Sequence, residues 1–338
     1  MGKIPRRYLL RRLLIFFLTI WASATLIFII PRLAPGDPVS AMVGDMQNAG
    51  SDTENSAAII DGWKARFGLD ASLPEQYIRY LGNLVTFDFG YSISNFPTPV
   101  GEIIVRALPW TIGLLIVALV ITFLLGNFLG ALMVWSKTPR LIRLIIPLGL
   151  VFTSIPSILA ALFLLYFLAY VLGWFPDANA YAIGQVVPGL NLEFVGSVIY
   201  HGTLPALAII LVSFGYWALG MRGMMITVEG EDYIQLARAK GLKPAYMLYR
   251  YMIRNAILPQ ITAFAITLGT LISGQVLVEY VFQYPGMGRV IYDNILARDF
   301  PVIQGSAFFL IVMTALAVLF VDLIYPYIDP RISIGREE

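Results

Sequence analysis

Glu229-Gly-Glu-Asp-Tyr-Ile-Gln-Leu-Ala-Arg-Ala-Lys-Gly-Leu-Lys-Pro-Ala-Tyr-Met-Leu-Tyr-Arg-Tyr-Met-Ile-Arg-Asn-Ala-Ile-Leu-Pro259 is a charged, amphipathic stretch between long apolar runs. Acids come first and bases later. Glu231 and Asp232 stand where a helix N-terminus favours negative charge, and Arg238 and Lys240 near its end. Tyr233, Leu236 and Ala237 recur at helical spacing, which predicts a face that packs against something. Gly241 supplies a left-handed stop, with Leu242 placed for the hydrophobic contact that accompanies such a stop. Pro244 suits the first turn of a second helix, running through Leu248, Tyr251 and Met252 toward Pro259. Two short helices hinged at a glycine between apolar spans have the form of a docking knob.

The composition agrees with a membrane protein. Of 338 residues, 58% are hydrophobic and only 13% charged, too few charges for an ordinary soluble domain. The net charge of +2 comes with no basic stripe, so nucleic acid is not expected as a partner. With no cysteine and a single histidine, His201, the sequence predicts no disulfide, thiolate metal site or histidine metal cluster. It carries no Walker-type phosphate loop, so ATP chemistry would have to come from a partner.

The first apolar run, Leu13 to Ile30, follows a basic segment and, counted from Tyr8, is long enough to span a bilayer. Ala22-Ser23-Ala24 has the form of a signal-peptide cleavage site, yet the run continues through Ile30, as a permanent span would. Residues 31–106 are mixed in polarity and read as an extracytoplasmic insert too short for a large core of its own. Ser72, Pro74 and Glu75 predict a helix start with a capping-box acid, followed by Leu73, Tyr77, Tyr80, Leu81 and Leu84 on one face. A shorter helix with Ile59, Ile60, Trp63 and Phe67, ending at Gly68, precedes it. Further spans are expected at Pro109–Val134, Leu141–Leu172, Thr203–Met221, Leu258–Val278 and Val302–Tyr325. Pro147 and Pro156 predict kinks or a break in the third. Pro285-Gly286, after the fifth, predicts a tight turn. The fold class is thus an all-α integral membrane protein with six transmembrane helices, a core over 107–325 and a tail over 326–338.

Most of the 23 basic residues fall on one side of that arrangement. They are Lys3, Arg6, Arg7, Arg11 and Arg12; then Lys137, Arg140 and Arg143; then Arg222, Arg238, Lys240, Lys243, Arg250 and Arg254; then Arg331 and Arg336. The positive-inside rule makes that side cytoplasmic, with both termini and the Glu229–Pro259 loop.

Ala237-Arg238-Ala239-Lys240-Gly241-Leu242 with Arg254-Asn255-Ala256-Ile257-Leu258-Pro259 resembles the cytoplasmic signature loop of ABC importer permeases, in the form carried by the dipeptide and oligopeptide branch. The superfamily signature opens Glu-Ala-Ala; Gln235, Leu236 and Ala237 occupy those positions, so only the last is kept. Leu33 to Pro38, Asp88 to Ser92, Phe282 to Arg289 and Arg298 to Pro301 also resemble segments of that branch. The resemblance implies the type I importer fold, with a helix of this loop set in a groove of the ATP-binding subunit. The docking set it implies is Glu231, Asp232, Tyr233, Leu236, Ala237, Ala239, Lys240, Gly241 and Leu242. It further implies a second homologous permease, two ATP-binding cassette subunits that hold ATP and Mg, and an extracytoplasmic substrate-binding protein. This chain would bind no cofactor itself. Short peptides are the cargo so implied; oligosaccharides are the alternative, since peptide-type permeases also serve sugar systems and Gly215-Tyr216-Trp217 and Met221 to Met225 depart from the usual peptide pattern, with nickel or another chelate third.

Acids within a membrane are functional candidates. Asp322 lies near the cytoplasmic end of the sixth span and Glu279 at the outer end of the fifth. Both read as structural partners at span ends, with proton-coupled secondary transport as the competing class. Arg222, Pro285, Gly286, Gly288 and Arg289 join them as structural or gating candidates. Gly269 and Gly274 read as sites of close helix approach, and His201 as a capping or interfacial residue. Neither a nucleophile with its base nor a His-Glu-x-x-His pair is present, so the chain is not expected to be an enzyme.

Overall fold

The computed structural model describes residues 6–33, 71–141, 147, 149–270 and 275–328. The expected helix over 59–67, the Leu33–Pro38 segment beyond Leu33, Gly274 and the last ten residues lie outside them. Among the described residues there is no strand beyond one isolated bridge, Tyr91 to Pro99.

Among the described residues, eleven α-helices follow in chain order: α1 (Arg6–Leu33), α2 (Leu73–Val85), α3 (Val100–Val134), α4 (Ser157–Leu164), α5 (Leu192–Glu229), α6 (Asp232–Ala239), α7 (Pro244–Met247), α8 (Arg254–Thr270), α9 (Val276–Val281), α10 (Met287–Leu296) and α11 (Phe300–Ile328). Four of them, α1, α3, α5 and α11, are long and apolar enough to cross a membrane. The other two expected spans are interrupted. In the third, a 3-10 turn at Val151–Ser154 is followed by extended backbone at Ile155 and Pro156, then α4 and a π-helical stretch at Leu165–Val171. Proline has no N–H and disfavours helical backbone before it, so the break falls where Pro156 predicts it. In the fifth, Gln275 is non-helical immediately before α9, while residues 271–274 lie outside the described ones.

The α3–α5 pair is the centre of the bundle. In α5, 61% of the most apolar window is buried within this chain, against 11% in α1. Gly126 and Gly130, one turn apart on α3, let the backbones approach. A Cβ on Gly126 would stand 2.5 Å from Trp217 Cβ and 2.6 Å from the Phe214 carbonyl, and one on Gly130 would strike the Ala218 carbonyl. Around this pair, Leu114, Leu115 and Ala118 pack with Ala161, Leu164, Leu204, Ala208, Ile209 and Phe282. The peripheral α1 lies on α11, where Ala24 meets Phe308 and Val312.

Two boundaries differ from the sequence reading. α3 begins at Val100 and carries Pro109 in its interior, so the end of the insert, expected at 106, already lies in the helix. Likewise α5 begins at Leu192, capped by Asn191 Oδ1 accepting the Phe194 N–H at 2.7 Å, rather than at Thr203. α2 starts where Ser72 predicts, but Ser72 makes no side-chain cap, and Glu75 pairs with Arg79 instead. Its expected face holds at Tyr77, Tyr80, Leu81 and Leu84. Tyr77 Oη is 2.6 Å from Thr25 Oγ1 on α1, whereas Leu73 stays exposed.

Candidate functional site

The loop between α5 and α8 is a two-sided device. α6 turns one face inward: Ile234 (0% exposed) and Ala237 (4%) pack with Met221, Met225, Met247, Leu248 and Met252. The opposite face holds Tyr233 at 38% and Leu236 at 56% exposure, flanked by exposed Glu231, Asp232, Ala239 and Lys240. Glu231 is the N-cap by its backbone only, and its carbonyl accepts the Ile234 N–H at 3.0 Å. Arg238 pairs with Glu229, the last residue of α5. The stop at Gly241 is as expected. With φ +70°, its N–H donates to the Arg238 carbonyl at 2.9 Å and the Leu242 N–H to the Ala237 carbonyl at 3.3 Å, the two closing bonds of a Schellman motif.

Two residues of the expected docking set pack on this chain's own core. Ala237 is buried, and Leu242 packs against the same inner cluster; both hold the loop on its own chain. Ile234, not singled out by the periodicity, is the deepest anchor. The second short helix is also different. α7 starts at Pro244 as expected, but it continues through a π-helical stretch at Leu248–Ile253 straight into α8, so Pro259 lies inside a helix and does not end one. Tyr246 (52%) and Tyr249 (63%) are also exposed, and Asn255 Nδ2 donates to Tyr233 Oη at 3.3 Å.

On α9, the Glu279 carboxyl is fully buried against α3 and α10. Thr111 Oγ1 donates to it at 2.8 Å and the Gly288 N–H at 2.7 Å, while the Met287 N–H donates to Thr111 Oγ1 at 2.8 Å. An acidic group at the first turn of α10 satisfies N–H donors that have no partner within the helix. Gly286 and Gly288 are required by proximity. A Cβ on Gly286 would fall 2.5 Å from Thr111 Oγ1 and Glu279 Cδ, and one on Gly288 would fall 2.5 Å from Val276 Cα. The expected turn at Pro285 is a three-residue one, closed by the Gly286 N–H on the Tyr284 carbonyl at 2.7 Å; the positive φ falls on Gln283. The Arg289 backbone N–H also serves Glu279, while its side chain turns away to the Gln283 carbonyl and to Asp293.

Asp322 pairs with Arg12 of α1 at 2.9 Å, and its backbone carbonyl accepts Tyr8 Oη at 3.0 Å, so it fastens α1 to α11. Arg222 is exposed on α5 and makes no bond to the described residues. His201 Nδ1 lies 2.8 Å from the Ser197 carbonyl one turn back in α5, a local bond. Gly269 lies in α8 near its end. Among the described residues no group of three potential metal ligands occurs.

Two features escaped the sequence reading. Gly126 and Gly130 carry the readable small-xxx-small signal. Asp299 does not: it is fully buried and accepts Ser92 Oγ at 2.5 Å, Ser94 N–H at 2.9 Å and Ser94 Oγ at 2.8 Å, across 207 and 205 positions of chain. It ties the Asp88–Ser92 segment to Arg298–Pro301, two of the segments noted above.

Residues 126–334 match the family described as binding-protein-dependent transport system inner membrane component. The oligopeptide transport system permease protein AppB of Bacillus subtilis (strain 168) is 34% identical over 332 residues, covering 96% of this chain and 99% of that protein. A putative peptide permease protein of Brucella suis biovar 1 is 32% identical over 331 residues, covering 97% and 99%. A probable peptide ABC transporter permease protein of Sinorhizobium fredii is 31% identical over 325 residues, covering 96% and 98%. With a family match over more than half of its length and relatives aligned almost end to end, the chain belongs to the inner membrane components of binding-protein-dependent transport systems.

Proposed function

We propose that this chain is one membrane-spanning subunit of an ATP-driven importer, forming half of a translocation path for short peptides. The observation that carries this reading is α6, anchored by Ile234 and Ala237 in its own core while Tyr233 and Leu236 are exposed beside Lys240. An apolar pair on a helix held rigidly from behind is what a partner groove needs, because packed contacts tolerate little displacement. The names of the relatives favour peptides over oligosaccharides or metal chelates.

In this reading the chain crosses the inner membrane six times. Its third and fifth spans are the interrupted ones, and both termini and the α6 loop are cytoplasmic. Residues 31 to about 99 form the extracytoplasmic insert. A second homologous permease supplies the other half of the path, and two ATP-binding subunits with ATP and Mg dock on α6 and its counterpart. A substrate-binding protein delivers the peptide from outside. Proteoliposomes with the whole complex should accumulate peptide only when ATP and the binding protein are both supplied. Uptake driven by a proton gradient alone would overturn the reading and direct attention to Asp322.

A further inference from the structure

The two interrupted helices touch each other at their breaks. Ser157, the first residue of α4, donates its Oγ–H to Gln275 Oε1 at 3.2 Å, and Gln275 is the residue just before α9. Both points are irregular: Ile155 and Pro156 have ψ of 130° and 139°, and Gln275 has φ −111° and ψ 68°. They lie deep. The apolar run Ser157–Val171 separates the first break from the following loop by about 20 Å at the helical rise, within a hydrocarbon core about 30 Å thick.

One side of this junction is sealed. The Val151–Ser154 turn presses on α5, where a Cβ on Gly215 would stand 3.0 Å from Leu150 Cδ2 and strike Thr153. The other side is open, with Phe152, Ser154 and Pro156 exposed. Lipid cannot satisfy irregular backbone, which is tolerated at membrane depth only inside protein or beside water. Two side chains there also keep unused donors. The Gln275 amide nitrogen and the Ser154 hydroxyl make no hydrogen bond with the described residues. All the polar groups at the junction are neutral.

We propose that Ser154, Ser157 and Gln275 form an uncharged polar step in the translocation path that hydrogen-bonds the main-chain amides of a passing peptide. This rests on the peptide-import reading and names a subsite within it. Every residue of an extended peptide offers one carbonyl, whatever its side chain. A neutral amide and two hydroxyls can satisfy those groups in turn without selecting charge. Sugar hydroxyls share this chemistry, so the two cargoes are separated by experiment.

The chain contains no cysteine, so Ser154→Cys and Gln275→Cys each introduce its only thiol. In the reconstituted importer with all its subunits, a water-soluble thiol reagent should label both during turnover. It should leave the buried control Ala118→Cys unlabelled. Saturating peptide with binding protein should slow both labellings, and an oligosaccharide should not. Gln275→Leu should lower peptide uptake about tenfold, the loss of the hydrogen bond its free amide nitrogen gives the peptide, while binding-protein-stimulated ATP hydrolysis persists. Unreactive thiols in an importer that does take up peptide overturn the step alone. Reactive thiols protected by sugar, or in an importer that takes up no peptide, overturn the peptide as occupant together with the import reading.

Discussion

Replacing Gly241 isolates the aim of the docking helix from the stability of the bundle. Gly241 has φ +70°, and nothing lies within 4 Å of a Cβ built on it, so a side chain there meets no steric obstacle. The penalty is conformational alone, about 1–2 kcal/mol for a residue other than glycine in the left-handed region. Relief requires the Schellman bonds to the Arg238 and Ala237 carbonyls to open, which turns α6 relative to α7. The inner anchors Ile234 and Ala237 remain packed, so insertion and folding persist. Since 1.4 kcal/mol is a factor of ten, Gly241→Val should weaken association with the ATP-binding subunits by about that factor, or separate ATP hydrolysis from uptake. Gly241→Asn should recover most of the loss, because asparagine visits the left-handed region more readily. Co-purification of the complex and the ratio of uptake to hydrolysis read the outcome. Normal assembly and coupling in Gly241→Val, or equal damage from Val and Asn, would refute this mechanism.

At the α3–α5 contact, Gly130→Leu should abolish folded protein. Gly130→Ala should lower the thermal midpoint by an overpacking penalty of about 1–3 kcal/mol, since its Cβ meets the Ala218 carbonyl; fluorescence-detected size exclusion of heated membranes reads both. Glu279→Ala leaves the Gly288 N–H unpaired in a buried place and should cost about 2–3 kcal/mol. Glu279→Gln keeps an acceptor and should cost less, and an equal loss in the two would exclude the capping role. A single cysteine at Lys243 should react with an impermeant reagent only in inverted vesicles; reaction in intact cells would reverse the proposed orientation.

What could be read in advance divides by range. Gly241 and Pro244 were readable because positive φ and a fixed ring are local demands, met by residues within one turn. The face of α6 was not, since a helix gripped by its own chain on one side and free on the other shows two apolar stripes. Nothing in a period chooses Ile234 over Leu236 as the anchor. Pro109 reads as a boundary because proline suits a first helical turn, yet α3 carries it inside, beyond a first stretch that packs Val100, Ile104 and Ala107 against Met287 and Val302. The break at Pro156 was readable; its meeting with Gln275 was not, because the pairing spans 118 positions. The same holds for Asp299 and its serines.

The most direct test of the docking face is a photo-crosslinking amino acid placed at 236 or at 234 in the assembled importer. From 236 it should trap an ATP-binding subunit, since Leu236 stands free on the outer face of α6. From 234 it should trap only this chain, since Ile234 is enclosed by its own methionines. An ATP-binding subunit trapped from 234 and not from 236, or from neither, would contradict the proposed interface.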